Sequence, residues 1–270
     1  MANQHLAFIG AGNIARAIIG GLVSSGYESG RIAAADPSPE QLQSLPEGIS
    51  TGSDNRQCVS GAEVVVLCVK PNLATRVAAD IAPAAQGKLV ISVAAGIPVA
   101  ALAGELGDDA AIIRCMPNTP ALVGAGMTGL YANEWVKPDQ RETGEAILSA
   151  VGKVLWFDHE DHLDMVTAVS GSGPAYFFLV MEAMEKAAIA LGLPLEASRT
   201  LVLQTALGAA QMASSSDESP ETLRRRVTSP GGTTEAAINR LNDAGLSAIF
   251  DAAIEAACQR SRELATTAGA

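Results

Sequence analysis

A short apolar run, Leu6–Ile9, passes directly into Gly10-Ala11-Gly12-Asn13-Ile14-Ala15, and a helical pattern continues from Asn13 to Ser25. This spacing constrains the fold more than any other feature of the chain. Gly10 permits a tight turn, Gly12 leaves the backbone bare so that a pyrophosphate can approach, and Ala15 lets the helix lie close on the strand. The helix start adds free N–H groups and a partial positive charge. Ile9, Gly10, Ala11, Gly12, Asn13 and Ile14 are therefore the candidate cradle of a dinucleotide, NAD or NADP.

The next residues keep the alternation this motif requires. Arg31–Ala35, Glu63–Val69, Lys88–Ala94 and Ala111–Met116 read as short buried strands, with Gly129–Ala132 and Lys153–Phe157 as later additions. Glu63–Val69 is a continuous β-branched run, as expected for a strand covered on both faces. Helices are predicted near Leu73–Ala82 and Val99–Leu106. The character changes near Asp158: beyond Glu160 only helical patterns appear, at Ala175–Leu191, Leu195–Ala213, Glu221–Val227, Thr234–Asn242 and Leu246–Thr267. The fold class is α/β, a Rossmann-type doubly wound sheet over residues 1–159 followed by an all-helical domain over residues 160–270.

In such a sheet, ligands lie beyond the carboxyl ends of the strands. Asp36 ends the second strand, where its carboxylate favours a ribose 2′-hydroxyl and hence NADH. Ser38, Arg31 and Arg56 offer donors to a 2′-phosphate, so the choice between NADH and NADPH stays open. Asn55 falls in a polar loop before the third strand; Cys68, Val69, Lys70 and Pro71 end that strand; Val93, Ala94 and Ala95 end the next. The stiff loop Met116-Pro117-Asn118-Thr119-Pro120 suits either a ligand contact or a plain turn.

Two glycine-rich stretches mark the helical half, Ser170-Gly171-Ser172-Gly173-Pro174 and Thr228-Ser229-Pro230-Gly231-Gly232-Thr233-Thr234. Each reads as a helix start, the first capped by Ser172 or Gly173 and the second by Thr233 or Thr234. Each presents backbone N–H groups with little bulk, which suits a carboxylate.

The net charge of −11 opposes nucleic-acid binding. The four cysteines are scattered, without a CxxC pair, and read as free thiols of a cytoplasmic protein. His159 and His162 lack the partners of a metal site, and no metal is expected. The first residues lack a signal-peptide pattern, and no apolar stretch reaches the ~20 residues needed to span a bilayer.

With those residues in view, the chain resembles the pyrroline-5-carboxylate reductase family, nearly end to end. The resemblance is carried by FIGAGNIA at its start, VKP at Val69–Pro71, SVAAG at Ser92–Gly96, RCMPNTP at Arg114–Pro120, SGSGPAY at Ser170–Tyr176 and VTSPGGTT at Val227–Thr234. It implies reduction of 1-pyrroline-5-carboxylate to proline with NADPH or NADH, and a helical domain that interlocks with a second copy in a homodimer or a ring of dimers. By motif, the cofactor would touch Ile9 to Ile14, Asn55, Cys68 to Pro71 and Val93 to Ala95. The substrate carboxylate would sit on Ser229, Gly231, Gly232, Thr233 and Thr234, with Glu160 near the substrate and Thr167 on its ring nitrogen. Arg226 departs from the Asn or Gln that relatives often carry there. A 6-phosphogluconate-type or hydroxy-acid dehydrogenase with a catalytic lysine in its helical part, a reductase for a related cyclic imine such as the six-membered homologue, and a dinucleotide-sensing module without chemistry are the competing readings.

Overall fold

The computed structural model describes residues 4–268. The chain divides into two compact units. One takes the residues up to Ser172 together with those from Ala256 on, and the other is Gly173–Glu255. This division keeps residues 160–172 and the end of the last helix with the sheet.

The first unit is built on one eight-stranded sheet. Its strands are β1 (Leu6–Ile9), β2 (Ile32–Ala35), β3 (Ser50–Gly52), β4 (Val64–Leu67), β5 (Leu89–Ser92), β6 (Ala111–Met116), β7 (Gly126–Ala132) and β8 (Gly152–Trp156). Their order is β3-β2-β1-β4-β5-β6-β7-β8. Strands β3 to β6 pair in parallel, β7 is antiparallel to β6, and β8 is parallel to β7. The helices with this sheet are α1 (Asn13–Ser24), α2 (Pro39–Gln43), α3 (Asn55–Ser60), α4 (Pro71–Ala85), α5 (Val99–Leu106), α6 (Pro138–Ser149) and α7 (His162–Val166).

Strands β1, β4 and β5 are buried along their whole length because both faces are covered. Side chains alternate across the sheet, so Leu6 and Phe8 join a core with Ile18 and Leu22 of α1, while Ala7 and Ile9 join one with Ile81 of α4 and Leu102 of α5. The chain leaves β1 for β2 and β3, then returns to β4 on the other side of β1. That reversal opens a crevice at the carboxyl ends of β1 and β4.

Several elements escape the sequence pattern, the short α7 among them. β3 is a three-residue exposed edge with no apolar run. α3 begins at Asn55, capped by the Asp54 side chain accepting from Gln57 N–H at 3.0 Å, where a polar loop was expected. α6 is rich in charge and buries only Gly144, Ile147 and Leu148, so its apolar stripe is too thin to read.

The second unit holds α8 (Gly173–Ala190), α9 (Leu195–Ser214), α10 (Pro220–Arg226), α11 (Thr233–Asp243) and the start of α12 (Leu246–Ala268). It leaves much of its apolar surface open: Phe177, Phe178, Leu203, Met212 and Ile249 are all more than half exposed. The run His162–Ala190 is long and apolar enough to cross a membrane by length and composition alone, contrary to the expectation that no stretch would be.

Candidate active site

Gly10 adopts φ +93°, and a Cβ there would stand 2.6 Å from the Cys68 carbonyl oxygen, so only glycine fits. Its N–H donates to Ala35 O at 2.8 Å, and Cys68 N–H donates to Ile9 O at 2.7 Å, which ties the loop across the switch point. Gly12 caps α1 with extended backbone and no side-chain cap. A Cβ at Gly12 would meet nothing within 4 Å, so the space before the first amides of α1 is open. That space and those amides fit a pyrophosphate. Ala15 is fully buried beneath the helix. The Asn13 side-chain oxygen accepts from the Arg16 guanidinium, which also reaches Ser44 Oγ at 3.2 Å.

Asp36 does more than face a ribose. Its Oδ2 accepts Ala11 N–H and its Oδ1 accepts Ser38 N–H, each at 2.8 Å. The carboxylate therefore stitches the glycine loop to the start of α2. Asn55 donates from Nδ2 to Asp80 Oδ2 at 3.3 Å, which ties the start of α3 to α4. Cys68 is half-buried, and desolvation drives its thiol pKa well up; Lys70 is exposed and caps α4 ahead of Pro71. Val93 N–H donates to Leu67 O at 3.0 Å, and Ala94 N–H to Ser92 Oγ at 3.3 Å, so Val93 and Ala94 are held at the end of β5 while Ala95 is exposed. Ile9 ends β1, and Gly10 to Ile14, Asp36, Asn55, Cys68 to Pro71 and Val93 to Ala95 all follow the carboxyl ends of parallel strands.

Thr167 opens a π-helical turn, Thr167–Gly171, between α7 and α8. Ser172 N–H donates to Thr167 O at 2.8 Å, so the first glycine-rich stretch is not the capped helix start expected from sequence. Helix already precedes it, and Ser172 is itself helical. Pro174 has no N–H, so the carbonyl four residues back, Ser170 O, lacks its α-helical donor. Asn118 Nδ2 supplies the missing hydrogen bond at 3.0 Å, while Asn118 Oδ1 accepts Met127 N–H at 2.9 Å. Both ends of the Asn118 amide are thereby engaged with protein groups. Thr167 Oγ1 donates to Leu163 O at 2.7 Å, so its proton is committed and its lone pairs remain to accept a hydrogen bond.

Glu160 lies in the same unit. Its Oε1 accepts from Arg114 Nη1 at 2.6 Å and from Val99 N–H at 2.8 Å. From sequence Arg114 stood only within the strand-end run Arg114–Pro120, with no role of its own; the available signal was a cation inside the apolar strand Ala111–Met116.

In the second unit, Gly231 has φ +71° and its N–H donates to Glu235 Oε2 at 2.7 Å. Gly232 N–H donates to Ser229 O at 3.0 Å, and Gly232 is the cap of α11. Thr233 and Thr234 are thus its first residues rather than its cap, contrary to the expectation from sequence. No side chain caps the helix, so its leading N–H groups are not claimed by one. Arg226 pairs with Glu218 at 2.5 Å. Lys186, the one lysine beyond Lys153, pairs with Glu182 on an exposed helical face. Among the described residues no group of three His, Cys, Asp or Glu is gathered that could hold a metal ion; His159 and His162 meet edge to face at 5.4 Å.

A doubly wound sheet with an open glycine loop at its switch point, continued by a helical unit, is the architecture of a dinucleotide-dependent oxidoreductase. Residues 160–264 match the family described as pyrroline-5-carboxylate reductase dimerisation, and residues 5–96 match that described as NADP oxidoreductase, coenzyme F420-dependent. The pyrroline-5-carboxylate reductase of Pseudomonas aeruginosa is 51% identical over 272 residues, covering 100% of both chains. A pyrroline-5-carboxylate reductase structure from Coxiella burnetii superposes with a TM-score of 0.94 at 44% identity, covering 97% of this chain and 99% of that one. The Plasmodium falciparum pyrroline carboxylate reductase, solved with NADP bound, gives 0.87 at 30% identity, covering 98% and 99%. The chain belongs to the pyrroline-5-carboxylate reductase family.

Proposed function

We propose that this chain reduces the C=N bond of 1-pyrroline-5-carboxylate to give L-proline, the last step of proline synthesis, using NADPH or NADH. The observation that carries the reading is the presence in one chain of an unobstructed glycine loop at the switch point and a glycine-led, uncapped helix start at Gly231–Thr234. One seats a pyrophosphate; the other suits a carboxylate.

The reduced nicotinamide, when bound, supplies the hydride received by C5 of the ring. The chain's own residues do the rest. Ile9 to Ile14 and Asp36 shape the pyrophosphate and ribose end, Asn55 flanks it, and Cys68 to Pro71 with Val93 to Ala95 line the nicotinamide end. Ser229, Gly231, Gly232, Thr233 and Thr234 form the turn and helix start that seat the carboxylate. Thr167 Oγ1 accepts a hydrogen bond from the ring N–H; because its own proton is given to Leu163 O, it favours the protonated imine, the better hydride acceptor. Rate comes from holding carbon and hydride donor aligned, with no nucleophile required.

In this reading residues 1–159 form the cofactor domain and residues 160–270 the substrate and dimerisation domain. The protein is a cytoplasmic homodimer or a ring of dimers, a second copy covers Phe177, Phe178 and their exposed neighbours, and neither nucleic acid nor membrane is a partner. The test is to mix the protein with NADPH and pyrroline-5-carboxylate, follow loss of nicotinamide absorbance and assay proline. Oxidation that proceeds equally without pyrroline-5-carboxylate, or none at all, overturns it.

A further inference from the structure

Among the described residues Arg114 is the one charged residue that is buried, at 6% exposure. It sits in β6 in register with Ser92, the last residue of β5, and with Tyr131 of β7. A leucine there would suit the strand AIIRCM better, since burying an ion pair in place of apolar packing is at best neutral for stability. The pair must therefore be judged by what it holds.

Glu160 Oε1 holds two things at once. It takes Arg114 Nη1 at 2.6 Å and Val99 N–H at 2.8 Å. Val99 opens α5, and its cap is Pro98, whose side chain offers no acceptor. A carboxylate 61 residues away in sequence does the capping instead. The short segment from Val93 to Pro98 is thereby fixed at both ends, by the end of β5 at one and by Glu160 at the other. The Glu160 backbone also anchors the helical turns after it: Leu163 N–H donates to Glu160 O at 3.0 Å, and Leu163 O accepts the Thr167 hydroxyl at 2.7 Å.

We infer that Glu160, anchored by Arg114, is a positioning residue that sets the Val93–Ala95 segment and the Thr167 turn relative to each other, rather than a direct contact of the substrate. The role of those two segments toward cofactor and ring rests on the proposed reduction. The juxtaposition itself does not.

Glutamine can accept both hydrogen bonds without the charge, whereas leucine can accept neither. The full-length protein is compared with E160Q, E160L and the double variant R114L/E160L. NADPH binding is read by nicotinamide fluorescence, amide exchange across residues 93–99 is measured without dinucleotide, and kcat and KM are determined. Losing the shared acceptor is expected to weaken NADPH about tenfold in E160L and to speed Val99 exchange by a similar factor, whereas E160Q stays within about threefold of the parent. The inference is overturned if E160Q falls as far as E160L, which would put the charge itself on the ligand, or if E160L binds and exchanges like the parent. Should E160L not fold, the double variant, which leaves no orphaned charge, takes its place; if neither folds, the pair is structural and the inference fails. A parent that binds NADPH without reducing pyrroline-5-carboxylate would refute the proposed reaction, while the binding and exchange results would still judge the pair.

Discussion

Replacing Asn118 by aspartate isolates one hydrogen bond. The carboxylate can still accept Met127 N–H, as the amide oxygen does at 2.9 Å, but it cannot donate to Ser170 O, now served at 3.0 Å. It also sets a negative oxygen against that carbonyl. Because Pro174 has no N–H to offer, Ser170 O loses its donor. Leaving a buried acceptor unsatisfied costs ~1–3 kcal/mol, and the part-buried setting of Asn118 puts the expected loss at about 1–1.5 kcal/mol. For a chain of this size each kcal/mol lowers the melting temperature by roughly 2–4 °C, so a drop of about 2–6 °C is expected. The π-helical turn that carries Thr167 loosens with it, and turnover should fall about tenfold, as small misplacements of a catalytic contact do. Thermal unfolding monitored by circular dichroism and steady-state kinetics on the same preparation measure both. An N118D protein that melts and turns over like the parent would show that the turn holds itself without the Pro117–Pro120 loop.

Gly10→Ala must place a Cβ 2.6 Å from Cys68 O at φ +93°; strain plus overpacking of about 2–5 kcal/mol should abolish measurable NADPH binding and lower the melting point, and normal binding would mean the loop can move away. Thr167→Ala removes the acceptor offered to the ring nitrogen and should slow turnover about 5- to 150-fold with little thermal change, because the lost bond to Leu163 O is a helical back-bond; near-normal kinetics would remove Thr167 from the mechanism. Burial pushes the Cys58 thiol from 9.0 up to about 12, against a smaller opposing effect of its hydrogen bond to the Phe8 carbonyl. The fold therefore keeps a proton that the unfolded chain releases, so this contribution to stability is complete below pH 9.0 and is lost as the pH rises toward about 12. Cys58→Ala should flatten the alkaline fall in unfolding free energy relative to the parent, and identical slopes would refute the assignment.

The sheet's central strands, the glycine loop and the long helices were legible because each depends on local chemistry. Val64–Leu67 is apolar without alternation, so it is buried on both faces. Gly10 and Gly12 are small where a backbone must turn or stay bare. What is exposed, charged or short was not legible: β3 carries no apolar signal, and the stripe of α6 is too thin.

The amino-acid sequence by itself determined the fold class, the dinucleotide edge of the sheet, the change to helices after Glu160 and the family. Only the tertiary structure decided what Asp36, Asn118 and Glu160 do. Asp36 grips Ala11 and Ser38, Asn118 serves a carbonyl that Pro174 leaves without a donor, and Glu160 joins Arg114 to Val99. Periodicity and turn chemistry act between residues a few positions apart, so they can be read along the chain. A polar side chain's partner is whichever group the finished fold brings within about 3 Å, and that distance is unrelated to separation in sequence.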